Sequence, residues 1–224
     1  MFLYLLFMAP ALLLALFAQA RVKRAFKKYS RISTGRRISG AQVARMLLDA
    51  SGLQNVRVER TKGLLSDHYD PRGKVLRLSP DVHDGVSVAA AGIAAHEMGH
   101  ALQDAQKYFP LAIRTAMVPS VKLGSWLGPA IFFIGMFINA LNLAWLGLIL
   151  FAATAVFAIV TLPVEFDAST RAKALLVNNG ILARQEMTGV DRVLNAAALT
   201  YVAGALQAIM AVLYYAFILM GRRN

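Results

Sequence analysis

Residues 143–162, LAWLGLILFAATAVFAIVTL, carry no charged side chain and run straight into Pro163-Val164-Glu165-Phe166-Asp167-Ala168-Ser169. As a helix, such a run rises about 30 Å, the thickness of a bilayer's hydrocarbon core. It therefore reads as a membrane span, with Glu165 and Asp167 where the span leaves the lipid. A charge at that depth is costly unless a partner receives it, so both carboxylates are functional candidates.

Three other stretches have the same character. Leu123–Ile138 precedes the first, across Asn139-Ala140-Leu141-Asn142, and the short linker predicts a helical hairpin. Met1–Ala20 and Ala196–Met220 are also free of charge and long enough to cross. The composition agrees: 58% hydrophobic and 16% charged, where soluble domains hold about 45–50% apolar and about 25% charged residues. The expected fold is a mostly α membrane protein with about four transmembrane helices and a small α+β soluble part containing a short β-hairpin or sheet. We divide it into an anchor at 1–20, a basic juxtamembrane segment at 21–38, a soluble part at 39–122 and membrane helices at 123–224.

The net charge of +12 would suit nucleic acid, but its distribution does not. Arg21, Lys23, Arg24, Lys27, Lys28, Arg31, Arg36 and Arg37 follow directly on the first apolar run. A cluster there predicts contact with anionic lipid headgroups and excludes nucleic acid as the partner. No basic residue precedes that run, so it reads as an uncleaved anchor despite the Ala18-Gln19-Ala20 resemblance to a cleavage site. By the positive-inside rule, residue 21 onward lies in the cytoplasm. The C-terminal Arg222 and Arg223 then fall outside, two charges against a much larger cluster. The expected location is the cell membrane, with several passes and the active site facing the cytoplasm.

Within 39–122, Ser39 can cap a helix to Ala50, ended by Ser51-Gly52. Val56–Arg60 alternates like a half-buried strand, and Lys74–Ser79 reads as another. Asp70-Pro71-Arg72-Gly73 and Asp84-Gly85 are turns. Ser87 opens a helix through Val88–Tyr108 that Pro110 closes. Leu76–Ser79 could be an edge strand that pairs with an extended substrate.

His96-Glu97-Met98-Gly99-His100 lies on that last helix. Residues four apart share a helical face, so both imidazoles can reach one metal ion. Glu97 is placed to take a proton from water that the metal activates. With four His and four Glu in the chain, the pattern arises by chance about once in a thousand such sequences. The helix start, Ala89 to Ala95, is almost wholly apolar, and two His and a Glu are costly to bury there unless paired or metal-bound. The chain has no cysteine, so the metal takes nitrogen and oxygen ligands, and zinc is expected, as one ion.

A third ligand is needed. His68 and His83 precede the motif; Asp104 lies one turn beyond it, displaced along the axis; Glu186 and Asp191 sit in a polar connection. Glu165 is the candidate, with Asp167 positioned to orient a ligand histidine. Tyr201, His68, Tyr69 and Arg171 are candidate donors to a developing oxyanion.

Leu65–Pro71, Leu76–Pro80, Ala95–Gln103, Leu162–Ser169 and Asn195–Val202 together resemble the YugP-like neutral zinc metallopeptidases, bacterial membrane proteins. The resemblance covers nearly the whole chain. It implies a zincin-like soluble part, His96, His100 and Glu165 as zinc ligands, and Glu97 as catalytic base. More distantly, the layout is similar to HtpX-like membrane peptidases, whose active site faces the cytoplasm and which carry Glu-x-x-x-Asp after the motif. Ser169 stands where that Asp would be. The expected activity is peptide-bond hydrolysis on a protein or peptide substrate near the membrane. A zinc-stabilised scaffold without catalysis is the alternative. A transporter is disfavoured, since no span carries a charge at mid-membrane.

Overall fold

The computed structural model describes residues 2–222, so Arg223 and the first residue of the expected anchor lie outside the described residues. The chain forms two compact units: Met1–Ala18, Phe109–Pro163 and Leu199–Asn224 in one, Gln19–Tyr108 and Val164–Ala198 in the other.

Four helices are long and apolar enough to cross a membrane: α1 (Phe2–Tyr29), α5 (Phe109–Phe137), α6 (Leu141–Asn178) and α7 (Arg184–Gly221). The protein is thus a mostly α membrane protein, as the sequence predicts. In the first unit α5 and α6 form the hairpin, turning through Asn139 at φ 58°. Glycines let their backbones approach: a Cβ on Gly128 would stand 2.7 Å from the Phe151 nitrogen, and one on Gly147 would stand 2.3 Å from that of Phe132. Small residues at a helix crossing are the usual means of packing in lipid, where no hydrophobic force drives helices together. Phe132, Ala144, Leu148 and Leu219 form this unit's buried cluster. Tyr4 packs on Tyr214 at 5.1 Å, and Arg222 donates to the Met136 carbonyl at 3.0 Å. The start of α1, the α5–α6 turn and the end of α7 therefore lie at one end of this unit.

The second unit holds α2 (Gly40–Ala50), β1 (Arg57–Arg60), β2 (His68–Asp70), β3 (Val75–Leu78), the one-turn helix α3 (Pro80–His83) and α4 (Val88–Ala105). Ser39 caps α2 in a full capping box with Gln42, satisfying the Ser39 and Gln42 N–H groups. Ser87 caps α4 by accepting from the Ala90 N–H. The sheet order is β1-β3-β2, with β1 parallel and β2 antiparallel to β3. Leu47, Leu76, Leu78, Val82, Met98 and Leu176 are among the buried core residues. Each such side chain contributes about 1.5–3 kcal/mol by burial. Buried residues occur all round α4, as expected for a helix that is apolar on every side.

Three local expectations are corrected. Leu76–Ser79 is not an edge: β3 is the central strand, because the three-residue β2, too short to show alternation, pairs with it through the Asp70–Gly73 turn. Pro110 does not close α4. That helix stops at Ala105, with Lys107 at φ 53°, and Pro110 lies in the first turn of α5, where its missing N–H costs nothing. The helix of the 143–162 run does not stop at Pro163 either; α6 runs through it unbroken, a position that neighbouring helices make tolerable in membrane proteins.

Candidate metal centre

The Ala-rich face of α4 sits against α6 so closely that only glycine fits at the contact. A Cβ on Gly99 would stand 2.5 Å from the Ala168 carbonyl oxygen. This residue lies between the two motif histidines, so the approach delivers His96 and His100 directly to the Glu165–Ser169 turn of α6.

There His96 Nε2 lies 3.2 Å from Glu165 Oε2, and His100 Nε2 lies 3.6 Å from the same oxygen. One ligand atom from each of the three residues falls within 4.8 Å of the others. Zinc bonds of about 2.0–2.1 Å in tetrahedral array place neighbouring ligands roughly 3.3 Å apart. The two separations from Glu165, 3.2 and 3.6 Å, lie close to that edge length. Glu165 is 2% exposed and His100 8%, so the donors are shielded from water on most sides while solvent still reaches the rings. The donor set, two imidazoles and a carboxylate, fits zinc.

The outer nitrogens are held as well. Gln103, fully buried, donates from Nε2 to the Val164 carbonyl at 2.8 Å and to Asp167 Oδ2 at 2.7 Å. Both partners only accept, so the amide orientation is fixed and Gln103 Oε1 must face His100 Nδ1, 3.0 Å away. Nδ1 then carries the proton, and Nε2 presents its lone pair toward Glu165. Ser169 Oγ lies 3.2 Å from His96 Nδ1. It occupies the place where the more distant HtpX-like pattern has an Asp.

Asp167 thus reaches His100 through Gln103 rather than directly, and Arg171 pairs with Asp167 at 2.5 Å, the other branch of its guanidinium bonding Gln106. Sequence reasoning missed Gln103 and Ser169. Gln103 three residues after His100 on one helix face was the available signal; for Ser169 it was its spacing of four from Glu165.

Glu97 is buried, 7% exposed. Burial pushes its carboxyl up from the ordinary value, and the neighbouring His96 and His100 pull it back. His68 is exposed, its Nδ1 2.8 Å from the Ser66 carbonyl. The Tyr69 hydroxyl donates to Asp104, which also pairs with Lys74; burial, then Asp104 itself, raises its pKa. Tyr201 belongs to the other unit.

Residues 4–220 match the family described as "Putative neutral zinc metallopeptidase". The chain belongs to this family. Over 222 residues, 99% of each chain, it is 44% identical to the "Putative membrane protease YugP" of Bacillus subtilis (strain 168). No solved structure matches it. A zinc peptidase family, a membrane protease as relative, four apolar helices and a His96, His100, Glu165 cluster that could hold a metal agree with one another.

Proposed function

We propose that this member of the family hydrolyses peptide bonds of membrane or membrane-proximal proteins, with His96, His100 and Glu165 holding one zinc ion and Glu97 as the catalytic base. The convergence of two Nε2 atoms and a buried carboxylate oxygen beside Glu97 carries this reading. Zinc held there supplies Lewis acidity, polarising a carbonyl oxygen and lowering the pKa of water to about 7.

The chain's own residues do the rest. Glu97 takes the proton of the attacking water on its carboxylate and passes it to the amine that leaves. Its near-complete burial favours proton uptake, because a desolvated carboxylate is a stronger base than an exposed one. Gln103 and Ser169 keep the imidazoles aligned, and Asp167 fixes Gln103 in turn. Arg171, neutralising Asp167, acts as a positioning residue in this scheme. With residue 21 onward in the cytoplasm, the site faces the cytoplasm.

Purified full-length protein and its Glu97→Gln variant test this. Elemental analysis should find one zinc per chain in both. Cleavage of an unfolded protein substrate should fall by about 10²–10⁴-fold in the variant. Cleavage at the wild-type rate rejects the mechanism, and zinc with no cleavage in either protein favours the scaffold reading.

A further inference from the structure

A basic pocket opens between α1 and α7 and shares no lining residue with the metal cluster. Arg21, Arg24 and Lys28 line it from α1 and Arg192 from α7, with Thr188 and Tyr29 completing the wall; its volume is about 510 Å³. The three α1 cations are spaced i, i+3 and i+7, one face of a helix. Gly189 lets the two helices close up, since a Cβ there would stand 2.7 Å from the Tyr29 ring.

No carboxylate lines this pocket. The acids nearest in sequence are engaged elsewhere. Asp191, beside Arg192, pairs with Lys173 at 2.8 Å. Glu186 accepts from the N–H groups of Gly35 and Ala183. Arg24, Lys28 and Arg192 around one cavity repel each other and attract an anion. The depth of the pocket names the anion. The uncharged run of α1 ends at Ala20, next to Arg21, and that of α7 begins at Val193, next to Arg192. Both helices change from apolar to basic at this level, where a spanning helix meets the phosphates of the bilayer.

We propose that the pocket binds the headgroup phosphate of an anionic phospholipid. The guanidinium forks of Arg24 and Arg192 match phosphate oxygens, Lys28 adds a point charge, and the Thr188 hydroxyl donates.

The test uses the full chain in bilayer nanodiscs of phosphatidylcholine and phosphatidylglycerol, with the lipids that survive gentle extraction counted by native mass spectrometry. Wild type should retain phosphatidylglycerol over phosphatidylcholine. Arg24→Gln should weaken that preference about fivefold, and Arg24→Gln/Lys28→Gln/Arg192→Gln should abolish it. Lys23→Gln/Lys27→Gln/Arg31→Gln removes as many charges, all from the basic segment at 21–38 and none from the pocket lining, and should leave the preference within about twofold of wild type. Circular dichroism confirms that each variant folds; Arg24, Lys28 and Arg192 are exposed. Equal loss in both triple variants, or loss in neither, overturns the proposal. So does capture of inorganic phosphate without discrimination between the two lipids.

Discussion

Gln103 decides which nitrogen of His100 carries the proton. Its two donors are committed to acceptors, so its oxygen is left for the imidazole. Replacing it with Met keeps the volume and removes that oxygen. Zinc affinity of Gln103→Met, measured by competition with a chelator, should drop about 10–100-fold. Ser169→Ala should show a smaller loss, because a serine can also accept and so fixes its histidine less firmly. At this scale the sequence made the candidate metal cluster legible wherever local periodicity suffices: His96 and His100 share one helical face by their spacing. Glu165 was legible because a carboxylate directly after an uncharged run stands at a membrane edge, where a charge without a partner is costly. Gln103 and Ser169 were not singled out, because Val164 and Asp167 beside Gln103, and His96 beside Ser169, become their neighbours only when α4 crosses α6.

Among the elements, the α4–α6 crossing depends on a hydrogen atom. Gly99→Ala would drive a methyl group into the Ala168 backbone, and backbone cannot rotate aside as a side chain can. The expected cost is about 1–3 kcal/mol, read as a lower midpoint in thermal unfolding, together with weaker zinc binding. The β2–β3 hairpin offers a pH test. Asp70 is held below the ordinary carboxylate value by the N–H groups of Gly73 and Arg72, so its contribution to stability is present at neutral pH and is lost as pH falls through its folded pKa. Asp67 is pushed up by burial, against the pull of the Ser79 N–H. Its contribution runs the other way, present in acid and lost as pH rises through the folded pKa. Carboxyl NMR should show Asp70 titrating below and Asp67 above the value of an aspartate in a free peptide. The strands β1 and β3 were readable from alternation. Their order was not, since three residues of β2 carry too little pattern to reveal that they take the edge.

For the whole molecule, the four apolar stretches were plain from composition, yet the continuity of α6 through Pro163 was not, because proline is a helix breaker only where nothing else supports the turn. The Arg222 bond to Met136 joins the last helix to the α5–α6 turn, and this bears on topology. Both should face the outside if residue 36 faces the cytoplasm. The chain has no cysteine, so single cysteines can be introduced without first removing any. A membrane-impermeant maleimide applied to intact cells should label Asn139→Cys and spare Arg36→Cys; the reverse pattern would invert the orientation.

That same lack of cysteine gives the His96–Glu165 contact a mechanical meaning. The two residues are 69 positions apart in the chain, and a cation gripped by both would close a long loop as a disulfide does in secreted proteins, by restricting the unfolded ensemble. Stripping the metal would then cut a tether between α4 and α6 that adds to the Gly99–Ala168 packing and the Gln103 hydrogen bonds. Limited proteolysis after chelation should accordingly open the 106–108 connection, which lies inside that loop, well before the sheet gives way.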